Sequence, residues 1–328
     1  MKWNRLTVWI AVLAGVLAVA GCSGGKTEDA GKYPSKPITW VVAYPAGGAP
    51  DLPARTLQPY VEKYLPNNGK LSIVNKGGSG GTIGMTEVFK AKPDGYTIGT
   101  AAAAAITNLP LLGDTPYQYD ELEPLLNYVK AAQFLVVPAD APYDNFDEWL
   151  AYASEHPEEF TYGVAGNANA QHVAMENFAN QADVQIRAIT YKGENEILTN
   201  LLGKQIKGGI LNHALAYEHV KAGTLKLIVN ITGVKPDYAA DIPTFKELGY
   251  DVEANFFNGL FVPLETPEEL KTILQDAFKQ ALEDPELLAK FEELQLIPSY
   301  LGPEEFKQEI ERDTESNRET LKMMGLIQ

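Results

Sequence analysis

Cysteine is nearly absent from this chain of 328 residues, and histidine, with four residues, is scarce. A single cysteine, Cys22, cannot form a disulfide within the chain. If a lipid is attached to Cys22, as proposed below, the chain has no cysteine left to act as a nucleophile or to bind zinc. No complete Walker phosphate-binding pattern, no His-Glu-x-x-His zinc pattern and no calcium loop occurs. The sequence therefore predicts no metal and no cofactor.

Positive charge is also in short supply. The chain has 27 Lys and Arg against 43 Asp and Glu, a formal net charge of −16. Nucleic-acid binding depends on basic patches that neutralise phosphates, so this balance argues against a nucleic-acid partner. An anionic ligand would meet a repulsive long-range field, and its attraction must therefore be local.

Long apolar runs are missing except at the start, where residues 6–20 form one shorter than the ~20 residues of a membrane-spanning helix. Lys2 and Arg5 precede this run, and Val-Ala-Gly-Cys, which resembles the bacterial lipobox, ends at Cys22. This order predicts a lipoprotein signal peptide over residues 1–21, lipidation of Cys22 and a flexible tether over residues 22–32. The alternative is an ordinary signal peptide with a cysteine near the cut. The predicted location is extracytoplasmic, either lipid-anchored to the outer face of the bacterial cytoplasmic membrane or periplasmic.

Short β-rich runs alternate with helix-like runs over most of the remaining chain, which predicts an α/β fold with mostly parallel sheets flanked by helices. The predicted strands are residues 38–43, 71–75, 96–100, 134–137, 161–164, 186–189, 206–211, 225–230 and 256–262. The predicted helices are residues 51–64, 83–90, 145–155, 170–182, 194–202 and 215–221. Only helices are expected after residue 262, and they must return to pack on a lobe already built. We expect two lobes, residues 33–131 with 256–328 and residues 132–255.

Two glycine-rich stretches each follow a predicted strand and precede a predicted helix, at residues 45–51 and 75–84. Glycine leaves backbone N–H groups uncovered beside a helix start, and such a start favours an anion. Asp51, at the edge of its helix, could cap the free N–H groups. The alternative is a tight turn that needs glycine only for its geometry.

The second stretch also contains Gly-x-Ser-x-Gly around Ser79, the pattern of the hydrolase nucleophile elbow. A serine hydrolase using Ser79 with a downstream Asp and His172, His213 or His219 is therefore an alternative function. Glycines surround this serine on every side, and such a pattern is easily met by chance in a glycine-rich loop.

A third strand–loop–helix segment, Tyr-Gly-Val-Ala-Gly-Asn-Ala-Asn-Ala-Gln-His, covers residues 162–172. Asn167 or Asn169 could cap the following helix or donate a side-chain amide to a ligand. His172 falls in the first turn of that helix, where it could bond a ligand oxygen or serve the fold alone.

Several segments in order resemble the extracytoplasmic solute receptors of tripartite tricarboxylate transporters. They are Tyr-Pro-Ser-Lys-Pro-Ile at 33–38, Pro-Ala-Gly-Gly-Ala-x-Asp at 45–51, residues 75–84, Lys-Pro-Asp-Gly-Tyr-Thr at 92–97, residues 162–172, Tyr-Lys-Gly at 191–193 and Asn-Gly-Leu-Phe-Val-Pro at 258–263. The resemblance covers nearly all of the chain beyond the signal peptide. It implies a non-enzymatic receptor with a two-lobed, type II periplasmic-binding-protein-like fold that closes on a carboxylate by a hinge motion.

The resemblance also implies a two-subunit membrane permease as partner, and we expect the receptor to be a monomer. The alternative function is a ligand-sensing receptor for a membrane kinase, which would bind its ligand in the same cleft between the two lobes. The expected ligand-binding residues are Tyr44, Ala46, Gly47, Gly48, Asp51, Gly80, Gly81, Thr82, Ala102, Asn167, Asn169, His172, Lys192 and Asn212.

The chain departs from the family in three places. Residues 101–105 are all alanine where family members usually have serine and threonine, serines are missing near residues 164, 165 and 169, and Asn212 stands where an aspartate is usual. We infer a less polar pocket wall that favours an acid with an apolar or aromatic body. The alternative for the alanines is a helix start packed in the core.

Overall fold

The computed structural model describes residues 30–48 and 50–328. The predicted signal peptide, the lipidation site Cys22 and the first part of the tether lie outside these residues. The strands are β1 Ile38–Val42, β2 Leu71–Asn75, β3 Thr97–Ala102, β4 Leu122–Lys130, β5 Gln133–Pro138, β6 Thr161–Ala165, β7 Arg187–Tyr191, β8 Gly208–Asn212, β9 Leu225–Asn230, β10 Phe257–Pro263 and β11 Ile297–Leu301. The α-helices are α1 Asp51–Tyr64, α2 Thr82–Phe89, α3 Ala103–Thr107, α4 Phe146–Glu155, α5 Ala170–Gln181, α6 Glu194–Leu202, α7 His213–Lys221, α8 Glu268–Leu282, α9 Pro285–Glu293 and α10 Pro303–Met323.

The first sheet has six strands in the order β11-β4-β10-β3-β1-β2. Strand β1 is parallel to both β2 and β3, whereas β10 is antiparallel to β3 and β4, and β11 is antiparallel to β4. Ile38, Trp40, Val41 and Val42 of β1 are fully buried, because helices cover both faces of the sheet.

The second sheet has five strands in the order β7-β6-β8-β5-β9. Strand β6 is parallel to β7 and β8, and β5 is antiparallel to β8 and β9. Its largest core cluster is aromatic, with Trp149, Phe160 and Phe178 fully buried. The predicted α/β class is confirmed, but both sheets are mixed and not mostly parallel.

The antiparallel pairings arise where the chain passes between the sheets. Strand β4 ends at Lys130 in the first sheet, and β5 begins at Gln133 in the second, so only two residues separate them. Strand β10 returns to the first sheet and lies between β3 and β4. Strand β4 escaped the sequence analysis because Pro124 and Asn127 interrupt its apolar run.

The expectation of helices alone after residue 262 is wrong at β11, an edge strand that carries Pro298. Proline donates no ladder hydrogen bond and is tolerated at a sheet edge. The expected packing of the C-terminal helices on the first lobe is seen at Phe306 of α10, which lies against Phe257 and Phe261 of β10. Gly259 of the same strand allows this approach, because a Cβ there would collide with the Phe306 ring.

Helix α10 also carries a buried carboxyl beside the return crossover. Asp313 accepts a hydrogen bond from the Asn255 side chain. Burial, together with the nearby Glu309 and Glu253, raises the pKa of Asp313 from 3.8 to about 7. Between about pH 4 and 7 Asp313 is therefore protonated in the folded protein but ionised in the unfolded chain. The contribution of Asp313 to stability falls as pH rises through this window.

We expect the stabilisation by Asp313→Asn to be ~2 kcal/mol larger at pH 8.5 than at pH 5, because asparagine has no proton to lose as pH rises through this window. Urea unfolding at both pH values measures the difference. Glu319→Gln, an exposed change on the same helix, is the matched control. Equal pH slopes in Asp313→Asn and the unchanged protein would contradict the prediction.

Candidate functional site

The first three strands end at one edge of the first sheet, because β1, β2 and β3 are mutually parallel. Val42 is in register with Asn75 on one side and with Thr100 on the other. The glycine-rich stretch after β1, the one after β2 and the start of α3 after β3 therefore lie side by side. In open α/β sheets ligands bind outside the carboxyl ends of strands, so this edge is the candidate site.

Tyr44 connects these three segments. Its hydroxyl donates to the Gly80 carbonyl over 3.1 Å and also accepts a hydrogen bond from the Ala102 backbone N–H. Burial raises the pKa of Tyr44 to about 12. Gly81 has φ +102°, and a Cβ there would lie 2.9 Å from the Tyr44 hydroxyl, so glycine is required for this close approach.

Asp51 holds the first glycine-rich loop in place through hydrogen bonds to its carboxylate. One carboxylate oxygen accepts from the Gly47 N–H and from Arg55 Nε, both at 2.8 Å, and the other accepts from Asn75 Nδ2 at 2.8 Å. Burial alone would raise the pKa of Asp51, but these donors hold it below its ordinary value of 3.8. The carboxylate therefore does not cap α1, since its backbone partner is Gly47 and not a helix N–H.

The loop makes its own hydrogen bonds at the two glycines. The Gly47 N–H is bound to Asp51, and the Gly48 N–H donates to the Pro45 carbonyl over 3.1 Å. Within the described residues the Ala46 N–H makes no hydrogen bond, and Ala46 is exposed. The part of this loop available to a ligand is thus the Ala46 N–H and the bare surface over Gly47.

The second stretch folds into a tight turn before α2. The Gly81 N–H donates to the Gly78 carbonyl, and the N–H of the buried Thr82 donates to the Ser79 carbonyl. Gly80 lies exposed at the surface of the turn. The predicted role of Gly80, Gly81 and Thr82 in binding stays a prediction.

The hydrolase alternative lacks its base in this arrangement. The four histidines of the chain form hydrogen bonds elsewhere, with Tyr152, Ala168, Gln295 and Thr224, and within the described residues none is bonded to Ser79. A nucleophilic serine needs a base within hydrogen-bonding reach.

The five alanines at residues 101–105 differ in burial. Ala101, Ala103 and Ala105 are buried in a core cluster, as the packing alternative expects, and Ala102 and Ala104 are half-buried. Only these two could form part of a less polar pocket wall.

The second sheet has a matching edge, where the parallel strands β6, β7 and β8 end and helices α5, α6 and α7 begin. Asn169 caps α5, since its Oδ1 accepts from the His172 N–H over 2.9 Å, and this confirms the predicted cap. Asn212 caps α7 in the same way, by accepting from the Leu215 N–H over 2.9 Å. Three helix starts therefore converge on one edge, a place that favours negative charge.

His172 and its neighbours in the loop differ in exposure. Nδ1 of His172 accepts from the Ala168 N–H at 3.2 Å, and its side chain is nearly buried, which supports a structural role. Asn167 and Lys192 are exposed, and the Lys192 N–H donates to Glu196. The binding roles of all three residues stay predictions.

Three polar residues that the sequence analysis did not select lie at this edge. The Glu194 carboxylate accepts hydrogen bonds from Gln133, Gln171 and Asn212. Gln133 and Gln171 are almost fully buried and are also bonded to each other at 3.0 Å. In the sequence, the only feature that could have indicated this cluster is the position of Glu194, directly after the Tyr-Lys-Gly segment at residues 191–193.

The two edges meet at a buried hydrogen bond. Asn108, just after α3, donates from Nδ2 to the Ala168 carbonyl over 2.9 Å, and its Oδ1 accepts from Asn317 of α10 at 2.8 Å. Asn108 and Ala168 are both buried. This contact brings the loop after β6 against the segment that follows α3, so the two candidate edges are neighbours.

A cavity of about 510 Å³ lies elsewhere, between α5, the segment at residues 251–255 and α10. None of the predicted ligand-binding residues lines it. Acidic side chains outnumber basic ones in its walls, so it is a poor place for an anion.

Across residues 30–48 and 50–328, no group of three or more His, Cys, Asp or Glu side chains is placed to hold a metal ion. No helix within these residues combines the length and apolar character that a membrane span requires.

Comparison with known proteins identifies the family. Residues 54–326 match the tripartite tricarboxylate transporter family receptor model, TctC. The UPF0065 protein in the gbd 5' region of Cupriavidus necator is similar, with 32% identity over 324 residues, 97% of this chain and 95% of that protein. A solved TctC solute binding protein from Polaromonas has a TM-score of 0.80 and 27% identity over 89% of this chain and 99% of its own.

A solved Rhodopseudomonas palustris protein with adipate has a TM-score of 0.72 and 23% identity, covering 89% of this chain and 98% of its own, a likeness that shows the fold. The expected periplasmic-binding-protein-like fold is confirmed by these matches. The expectation of a solute receptor and not an enzyme is confirmed by the family. The chain belongs to the receptors of the tripartite tricarboxylate transporter family.

Proposed function

We propose that this receptor binds a small carboxylate between its two sheets and delivers it to a two-subunit membrane permease. The observation that carries the proposal is the meeting of two strand-end edges at the Asn108–Ala168 hydrogen bond. Each edge carries helix starts, and the first adds a glycine-rich loop with an open N–H. Local donors of this kind suit an anion bound by a protein of net negative charge.

The required binding energy indicates which interactions must dominate. A micromolar ligand needs ~8 kcal/mol. Each helix start contributes ~1 kcal/mol through its dipole. Hydrogen bonds to a charged group contribute roughly 1.5–3 kcal/mol each, so several of them must supply most of the affinity. Closure of the lobes would strengthen them by excluding water.

We propose that each sheet forms the core of one lobe. Residues 33–131 with 256–328 would form one lobe, and residues 132–255 the other, with hinges at the two crossovers. We further propose a monomer held by a lipid on Cys22 at the outer face of the cytoplasmic membrane, with the tether allowing it to reach the permease. The fold is shared with a protein whose structure contains adipate, which supports a carboxylate ligand.

The test is native mass spectrometry of the purified protein, followed by isothermal titration with aliphatic, aromatic and citrate-like acids. We expect a co-purified acid and at least one Kd in the micromolar range or below. A preference for apolar over hydroxylated acids would support the less polar wall at Ala102 and Ala104. Failure of every acid to bind, with a neutral or cationic compound co-purifying, would overturn the proposal.

A further inference from the structure

Glu194 is an acidic side chain at the edge where an anionic ligand is expected. It is the first residue of α6, and it follows the loop that ends β7. Oε1 accepts from Gln133 Nε2 at 3.3 Å and from Gln171 Nε2 at 3.1 Å. Oε2 accepts from the Asn212 N–H at 3.0 Å and also from Asn212 Nδ2.

These four donors favour the ionised form of Glu194. A carboxylate offers about four lone-pair positions, and a proton on either oxygen would have to displace one of the donors. Burial, the larger effect, raises the pKa of Glu194, and the hydrogen bonds oppose this rise. The residue is half-buried, and its partner Asn212 is one of the predicted ligand-binding residues.

Glu194 lies at an edge where helix starts attract negative charge. Helices α5, α6 and α7 all begin there, and their aligned dipoles stabilise an anion. Asn212, a predicted ligand residue, directs its side-chain N–H to Glu194. This bond explains why an amide stands at residue 212, because an aspartate would place two carboxylates in contact.

We propose that Glu194 determines ligand specificity by acting as the second lobe's own anion. The receptor would then take one ligand carboxylate at the glycine-rich loops of the first lobe and reject a second carboxylate at the other end. The ligand class is a monocarboxylate with an uncharged body. This inference rests on the proposed function and narrows it.

The experiment compares mono- and dicarboxylates of matched skeleton by titration at pH 7.5: butyrate with succinate, hexanoate with adipate and benzoate with terephthalate. We expect the unchanged receptor to bind at least one monocarboxylate about tenfold or more tightly than its dicarboxylate partner, as one repelled charge at short range implies. In Glu194→Gln this ratio should fall about tenfold, through tighter dicarboxylate binding, while the monocarboxylate Kd changes less than threefold.

Glu218→Gln is the matched control, because it removes one exposed charge from α7, next to α6, at the end remote from the edge. Its ratio should equal that of the unchanged receptor. Equal or tighter binding of the dicarboxylates by the unchanged receptor would overturn the inference, and this measurement needs no variant. A folded Glu194→Gln with an unaltered ratio would also overturn it. If no acid of either kind binds, the proposed function itself fails, and the inference fails with it.

Discussion

Asp51→Asn should lower the free energy of unfolding by ~2 kcal/mol and weaken ligand binding at least tenfold. The Asp51 side chain is only 3% exposed, and three donors converge on it. Asparagine keeps one acceptor oxygen but turns an N–H toward one of those donors, which leaves a buried polar group unpaired. The half-exposed Arg55 limits the loss, since water can solvate its released charge.

The effect on binding follows from the position of Gly47. Its N–H loses a charged acceptor in the variant, and the loop is then no longer fixed against Asn75, which also holds the Tyr44 carbonyl at 3.1 Å. A loop that must be ordered when the ligand binds reduces affinity, because its conformational entropy is lost at that moment.

Glu62→Gln separates stability from binding. Glu62 lies on the same helix, about 16 Å along its axis from Asp51, and accepts hydrogen bonds from Leu71, Lys70 and Gln58. The Glu62→Gln variant should lose stability but bind ligand normally. Thermal unfolding and titration of both variants decide the matter. Equal losses of affinity in the two variants would show that Asp51 acts only through overall stability.

Acid titration gives a second check on Asp51. The pKa of this carboxyl is lowered in the folded state, so its stabilising effect is complete above the ordinary value of 3.8 and disappears as pH falls through the folded value. The stabilities of Asp51→Asn and the unchanged protein should therefore converge in acid. A gap that does not narrow as pH falls from 5 to 2 would indicate packing damage instead.

Local pattern was sufficient where one segment determines its own structure. Residues 38–43 are an apolar run closed by Pro-Ala-Gly-Gly, and they form β1 and its loop as predicted. Helix α1 begins and ends at the predicted residues, Asp51 and Tyr64. The edge strand β11 could not be found in this way, because its partner β4 lies about 170 residues away along the chain.

The same distinction applies to the candidate site. The glycine-rich loops and the Asn169 cap are local features, and the sequence reveals them. The Glu194 cluster is assembled from three helix starts and a crossover, so its members, Gln133, Gln171 and Asn212, are neighbours only in three dimensions. Internal use of the Gly47 and Gly48 N–H groups likewise depends on how the loop closes on Asp51 and Pro45.

Gly47→Val should reduce ligand affinity at least a hundredfold while leaving the protein folded. Gly47 has φ +77°, which costs a β-branched residue ~1–2 kcal/mol of backbone strain. Among the described residues no atom lies within 4 Å of the Cβ that would be added, so the valine fits without collision. Its side chain would instead fill the open surface that the proposed function assigns to the ligand.

Gly223→Val is the control that makes this test decisive. Gly223 has φ +67° and equally open surroundings among the described residues, but it follows the end of α7 that is remote from the Asn212 edge. Both variants carry the same backbone strain and should lose similar stability, as measured by circular dichroism during heating. Only Gly47→Val should lose binding in titration, because only Gly47 lies in the loop that the proposed function assigns to the ligand. If the two variants bind alike, the first glycine-rich loop lies outside the binding site, and the carboxylate must be held by the helix starts of the second sheet alone.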